Sequence, residues 1–253
     1  MVDFSLKGKY ALITGASRGI GEAIAMALGQ YGAHCILVSR KMEALEAVAA
    51  KMKEKGYEAT PLACNMGYVD KVDALFAEVK ERFGKIDILV NNAAANPYFG
   101  DMLGADEGVW DKTWAVNVKG PFFMIQYAAK LMMETQTKGA IVNVASIAGI
   151  RPAEFQGIYS TTKAALIHLT KAYAKELAPH GIRVNGLAPG LTETKFASAL
   201  FTNKEIYDHA TSAIPMHRHA VPEEMAGTVL YLVSDASSFT TGEVIVVDGG
   251  MVI

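Results

Sequence analysis

Two cysteines in 253 residues are too few for a disulfide framework. Cys35 falls inside an apolar strand-like run and Cys64 at the end of another, so both read as small buried hydrophobes. No group of cysteines and histidines has the spacing of metal ligands, and no metal is expected. Long apolar runs are missing too. No uninterrupted span of membrane length occurs, and the opening MVDFSLKGKYALITG lacks a signal-type apolar stretch, so the expectation is a cytoplasmic protein with no membrane association. Neither sign of charge dominates. With 24 basic and 26 acidic residues the net charge is −2, which gives no electrostatic case for nucleic acid. Linkers, short repeats and low-complexity segments are also absent, so residues 1–253 are expected to form one domain.

What is present is a repeating alternation. Short β-rich runs occur at 9–14, 34–39, 58–63, 86–91, 140–145, 182–188 and 243–248, separated by longer stretches of helical character. The runs are apolar on both faces, as in a parallel sheet covered on both sides. The expected fold is therefore α/β: a single Rossmann-like, doubly wound parallel sheet of about seven strands with helices on each face. Long helices are expected over 106–134 and 157–180. The longest irregular stretch, 189–215, carries Phe196, Leu200, Phe201 and Tyr207 at roughly helical spacing, and segments of that length serve as lids or substrate loops.

The first strand runs into TGASRGIG. Gly15, Gly19 and Gly21 open the following helix, where backbone N–H groups and the helix dipole can meet a pyrophosphate with no side chain in the way. As a bare pattern GxxxGxG also fits an ordinary glycine turn; its place between a strand and a helix carries the binding reading. Further along stands YSTTK, with Tyr159 and Lys163 four apart and Ser146 thirteen residues upstream. YxxxK alone is uninformative, since 10 tyrosines and 18 lysines produce about 0.7 occurrences by chance. The chemistry of these residue types is coherent, however. Hydride arriving at a carbonyl carbon leaves charge on oxygen, which calls for a proton donor (Tyr159) and a hydrogen bond to the developing oxyanion (Ser146). A phenol titrates near 10, and a cation at i+4 on the same helix face, Lys163, favours its phenolate.

The ordered series TGASRGIG (14–21), NNAA (91–94), Asn117 in WAVNVKGPFF, Ser146 in VNVASIAG, YSTTK and PGLTET (189–194) resembles the short-chain dehydrogenase/reductase family in its single-domain branch, from the glycine loop to the C-terminal DGG. The resemblance implies a catalytic tetrad of Asn117, Ser146, Tyr159 and Lys163, with Lys163 also holding the nicotinamide ribose and Asn117 helping to hold a water beside it. It implies coenzyme contacts from Gly15, Ser17, Arg18, Gly19, Ile20 and Gly21 of the glycine loop, and from Asn65 and Met66 at adenine. Asn92, Ala93 and Ala94 would lie beside the nicotinamide riboside. Pro189, Gly190, Leu191, Thr192 and Thr194 would lie near the carboxamide. Ala94 stands where the family usually has glycine, adding a methyl group to the coenzyme path.

Coenzyme choice is read at the end of the second strand. An NAD enzyme usually places a carboxylate there for the ribose 2′-hydroxyl, whereas a 2′-phosphate calls for arginine. The strand ends Ser39, Arg40, Lys41 with no acid before Glu43, and Arg18 sits in the glycine loop, so NADP(H) is favoured over NAD(H). Arg40 as a solvated helix-start residue is the alternative. Pro97, Tyr98 and Phe99, with Glu154, Phe155 and Phe196, are candidate substrate contacts suited to a bulky or aromatic ketone. The stretches NNAAANPYFG, VWDKTWAVNVKGP and LAPGLTETKF are similar to the NADPH-dependent carbonyl and retinal reductase branch, although the terminus GGMVI lacks a peroxisomal Ser-Lys-Leu type signal. A 3-oxoacyl-carrier-protein reductase shares every motif, but the helix end MMETQTKG offers one acid and one base where an acidic carrier would want a basic patch. A catalytically silent dinucleotide-binding subunit would predict a broken tetrad. His217 and His219 read as surface or interface residues, and Met124, Met132 and Met133 as core or subunit-interface filler. The resemblance also implies a homotetramer built through the two long helices and through a C-terminal strand edge; the apolar Phe122, Phe123, Ile125, Leu166 and Leu169 are consistent with that and also with plain core.

Overall fold

Seven β-rich runs become seven strands in the computed structural model, which describes residues 2–194 and 204–253. They are β1 (Tyr10–Thr14), β2 (His34–Ser39), β3 (Ala59–Ala63), β4 (Ile88–Asn91), β5 (Ala140–Val144), β6 (Arg183–Pro189) and β7 (Val244–Val247). They form one sheet in the order β3-β2-β1-β4-β5-β6-β7, with every adjacent pair parallel. Pro61 lies in β3, an edge strand, where a missing N–H can go unused.

Side-chain alternation divides the sheet into two apolar layers. On one face Ile13, Leu37, Val90 and Val142 pack with helices α1 (Gly19–Gln30), α2 (Met42–Glu54) and α8 (Glu223–Val233). On the other, Leu12, Ile36, Val38, Leu89, Ile141 and Val184 pack with α3 (Val69–Phe83), α5 (Gly120–Glu134) and α6 (Gly157–Leu177). Each such fully buried aliphatic side chain contributes about 1.5–3 kcal/mol relative to an exposed one. Helix α7 (Lys204–Ser212) follows the described break, and Phe196, Leu200 and Phe201 lie outside the described residues.

The stretch 106–134, which reads as one helix in the sequence, has three parts. Helix α4 (Glu107–Trp114) is capped by Asp106, whose carboxylate accepts from the Val109 N–H at 2.8 Å. A π-helical turn over Ala115–Lys119 then leads into α5. Gly120 allows close approach here, because a Cβ would lie 2.7 Å from the Met66 carbonyl oxygen. Such π turns collect at functional positions, and this one carries Asn117.

Strand order reverses between β1 and its neighbours β2 and β4. The loops leaving β1 and β4 therefore diverge above the carboxyl ends of the strands and leave a crevice, the usual ligand position in open α/β sheets. Cys35 and Cys64 are buried free thiols. Among the described residues no helix is long and apolar enough to cross a membrane, and no group of metal-binding side chains occurs.

Candidate active site

The glycine loop is a cradle that side chains would fill. Gly15 and Gly19 have φ of +67° and +59°, which glycine adopts without strain. A Cβ on Gly15 would lie 2.7 Å from the Asn92 Nδ2, and one on Gly21 would lie 2.3 Å from the Gly15 carbonyl oxygen. Helix α1 starts after Arg18 with no side chain capping it, so its first N–H groups stay available to an anion. The one acid in that first turn, Glu22, is paired with Lys51 of α2 at 2.7 Å, which offsets its repulsion of a phosphate. These features fit a dinucleotide pyrophosphate.

Thr14, at the end of β1, clamps the second wall. Its Oγ accepts from the Asn92 and Ala93 N–H groups at 2.9 and 3.0 Å, while Asn92 Nδ2 donates back to the Thr14 carbonyl at 2.9 Å. The NNAA segment is thereby stapled to the glycine loop. Opposite, Pro189–Thr194 continues from β6. Gly190 N donates to Val247 O at 2.9 Å, and Thr192 forms a parallel bridge with Ala220. A Cβ on Gly19 would lie 3.3 Å from the Thr194 Cγ2, so this segment reaches the phosphate loop across the crevice.

Tyr159 and Lys163 lie on the buried side of α6, 9% and 2% exposed. The Lys163 Nζ donates to the Val144 carbonyl at 2.8 Å and sits 5.5 Å from the Tyr159 ring centroid. Burial pushes the phenol up to about 12 and a hydrogen bond with Ser146 opposes it; burial pulls the lysine down to about 7. Burial is therefore the largest influence on the phenol, against the expectation that Lys163 would favour its phenolate, and Tyr159 carries its proton throughout the neutral range. Ser146 accepts from the Ala148 N–H at 3.1 Å, which orients its hydroxyl at the head of the turn Ile147–Gly149. That turn sits directly on α6, since a Cβ on Gly149 would lie 2.6 Å from the Lys163 carbonyl carbon. The close contact is what brings the Ser146 hydroxyl to the phenol.

Asn117 is wholly buried, and its amide is fully engaged. The Oδ1 accepts from Ala95 N at 2.7 Å, and the Nδ2 donates to Ala95 O at 2.9 Å and to Thr162 Oγ at 3.0 Å. It ties the loop after β4 to α6.

At the end of β2, Ser39 is buried, while Arg18 and Arg40 are exposed with no ion pair among the described residues. Asn65 Oδ1 accepts from Gly67 N at 3.2 Å, and the Met66 side chain is buried in the core. The loops after β4 and β5 are tied together. Gly100 N donates to Phe155 O at 2.9 Å and Asn96 Nδ2 to Gln156 Oε1 at 3.0 Å. The Phe99 and Phe155 rings meet at 5.8 Å with both more than half exposed, and Met102, Leu103 and Ile150 are exposed as well. Phe155 holds φ of +57°, a strained conformation for an aromatic residue. Tyr98 folds back, donating to Asp101 O at 2.6 Å; Pro97 and Glu154 are exposed.

The sequence gives no sign of the roles of Thr14, Thr162 and Gly149, because each acts through a contact remote along the chain. His219 likewise has no sequence signal beyond the surface, yet its ring stands between Tyr207 and Glu193.

A family model described as enoyl-(acyl carrier protein) reductase matches residues 15–252. Over 245 residues the chain is 42% identical to dehydrogenase/reductase SDR family member 4 of Homo sapiens, covering 97% of this chain and 88% of that protein. It is 37% identical over 250 residues to tropinone reductase-like 3 of Erythroxylum coca, covering 99% and 95%. Among solved structures, a short-chain type dehydrogenase/reductase from Mycobacterium marinum superposes with a TM-score of 0.93 at 38% identity, covering 98% and 97%. A gluconate 5-dehydrogenase from Burkholderia cenocepacia J2315, in complex with NADP and tartrate, superposes with a TM-score of 0.94 at 32% identity, covering 99% and 97%.

Proposed function

The chain belongs to the short-chain dehydrogenase/reductase family, and from that premise we propose that it is an NADP(H)-dependent reductase acting on apolar or aromatic ketones and their secondary alcohols. Its class, a pyridine-nucleotide oxidoreductase, follows from the family. The finer reading rests on one observation: Tyr159 and Lys163 are buried with Ser146 bonded to the phenol, and the loops after β4 and β5 carry exposed apolar side chains. We read the whole chain as a single dinucleotide-binding and catalytic unit in the cytoplasm, with Asn117, Ser146, Tyr159 and Lys163 as its tetrad.

In this reading Gly15 to Gly21 receive the pyrophosphate and Lys163 the nicotinamide ribose. The coenzyme, when bound, supplies or accepts the hydride. Tyr159 donates its proton to the carbonyl oxygen, and Ser146 holds that oxygen by a hydrogen bond. Lys163, at the edge of losing its charge, steadies the phenolate left behind and takes part in its reprotonation. Asn117 holds the loop and helix in register.

Sugar acids are the natural contrast, because one structural neighbour is a gluconate 5-dehydrogenase. A polyhydroxylated substrate needs several fixed polar partners, whereas Phe99, Met102, Leu103, Ile150 and Phe155 offer apolar surface. A carrier-linked 3-oxoacyl substrate is the second reading. Glu134, at the end of α5, is paired with Lys80 at 2.6 Å, so one basic side chain on that surface is already engaged by an acid. A panel of aromatic ketones, gluconate-type acids and acyl thioesters, run with NADPH and ranked by kcat/KM, should place aromatic ketones first. Preference for the acids or thioesters would overturn the assignment.

We further propose a homotetramer. Phe122 and Met133 project from α5 into solvent, while Ile125 and Leu166 are accounted for by the core. The apolar edge strand β7 is only partly covered. Light scattering should return about four times the 27.1 kDa chain mass, and a monomer would refute the assembly.

A further inference from the structure

The segment Pro189–Thr194 reaches over the crevice, and its backbone is splinted to Ala220: Glu193 N donates to Ala220 O at 2.8 Å, and Ala220 N donates to Leu191 O at 2.9 Å. The residue before that splint is His219. Its Nδ1 lies 2.8 Å from the Tyr207 hydroxyl on α7, with the two rings edge-on at 5.5 Å. Its Nε2 lies 3.4 Å from the Glu193 carboxylate. One imidazole thus touches both the coenzyme-side segment and helix α7, and its side chain is only 24% exposed.

The backbone carrying this ring is itself anchored. Arg218 makes a two-pronged pair with Glu224 at 2.8 and 2.7 Å and donates to the His219 carbonyl at 3.0 Å. Glu224 also accepts from Val221 N at 2.9 Å. Bidentate pairing of this kind fixes geometry as well as adding energy. The imidazole therefore projects from a fixed base to Glu193 on one side and Tyr207 on the other.

We propose that His219 is a positioning residue for the coenzyme: it braces Pro189–Thr194 between the Ala220 splint and α7, so that Thr192 and Thr194 are held at the nicotinamide side of the crevice. The proposal rests on the coenzyme reading above. It assigns His219 no contact with substrate and no proton transfer. Removing the ring leaves the Arg218–Glu224 anchor and the Tyr159 cluster intact, so the loss falls on coenzyme affinity and not on the chemical step.

The test uses His219→Leu, Tyr207→Phe and Glu193→Gln singly, with His219→Gln as the conservative variant that keeps one polar arm. Dissociation constants for NADPH by fluorescence titration are paired with kcat, KM for coenzyme, and hydrogen exchange of the coenzyme-free proteins. With a net worth of one hydrogen bond or a little more at stake, His219→Leu should weaken NADPH binding roughly three- to tenfold while kcat stays within about twofold. His219→Gln should recover part of that loss. Exchange should rise in 189–194 and 204–212 and stay unchanged in 157–177. Unchanged NADPH affinity in His219→Leu overturns the proposal, as does a fall in kcat with coenzyme KM unaltered. A uniform rise in exchange over the whole chain also overturns it, because that marks general destabilisation. If the parent protein binds neither NADPH nor NADH, the coenzyme reading itself fails and the proposal falls with it.

Discussion

Tyr159→Phe should retain coenzyme affinity within a few-fold while turnover falls by a factor on the order of 10² to 10⁴. The substitution removes one oxygen and keeps the ring that packs under the Lys163 ammonium and against its buried surroundings. The fold and the crevice should therefore survive. What is lost is the hydroxyl that shares a hydrogen bond with Ser146, and that hydroxyl holds its proton firmly because burial has pushed it up to about 12. A phenol in that state is the right form for protonating a carbonyl oxygen. Ser146→Ala tests the partner role: it should reduce turnover less steeply, because the proton donor remains and only the oxyanion bond is lost. Steady-state kinetics with NADPH and an aromatic ketone, alongside coenzyme titration, measure both. Turnover of Tyr159→Phe within a few-fold of the parent would remove Tyr159 from the mechanism.

Strand positions were legible because burial on both faces leaves unbroken apolar runs such as HCILVS and AIVNV, and each strand begins and ends within two residues of its run. The catalytic spacing was legible because i and i+4 share a helix face wherever a helix forms. The break in 106–134 was not. A π turn is decided by how the backbone accommodates a crossing, here Gly120 against the Met66 carbonyl, and no local pattern announces it. Asn117 shows the same limit. The family resemblance implied a polar role near Lys163, but its partners, Ala95 and Thr162, lie 22 and 45 residues away in sequence, and only the folded chain brings them to its amide. The positive φ of Phe155 and the bridging place of His219 are likewise products of loop meeting loop.

The parent protein should bind NADPH about tenfold to a hundredfold more tightly than NADH, and Ser39→Asp with Arg40→Leu should reverse the order. A ribose 2′-phosphate carries roughly −1.5 to −2 charge near pH 7, so it needs cations that are not already engaged. Arg40 and Arg18 meet that condition: both are exposed, and neither forms an ion pair among the described residues. Each charge-assisted bond from a guanidinium is worth about 1.5–3 kcal/mol, and one such bond accounts for the expected ratio. Position 39 decides the reversal because Ser39 ends β2 beside the glycine loop, where its small buried side chain leaves room for the extra phosphate. An aspartate there would repel the phosphate and accept from the ribose hydroxyl of NADH, while leucine at 40 withdraws the attraction. Arg18→Ala alone should weaken NADPH and leave NADH nearly unchanged, separating the charge effect from damage to the glycine loop. Paired titrations at low and at high salt should show the NADPH advantage shrinking as ions screen exposed guanidinium groups. Equal affinity for the two coenzymes in the parent protein would mean that Arg40 faces solvent and that the end of β2 does not select the coenzyme.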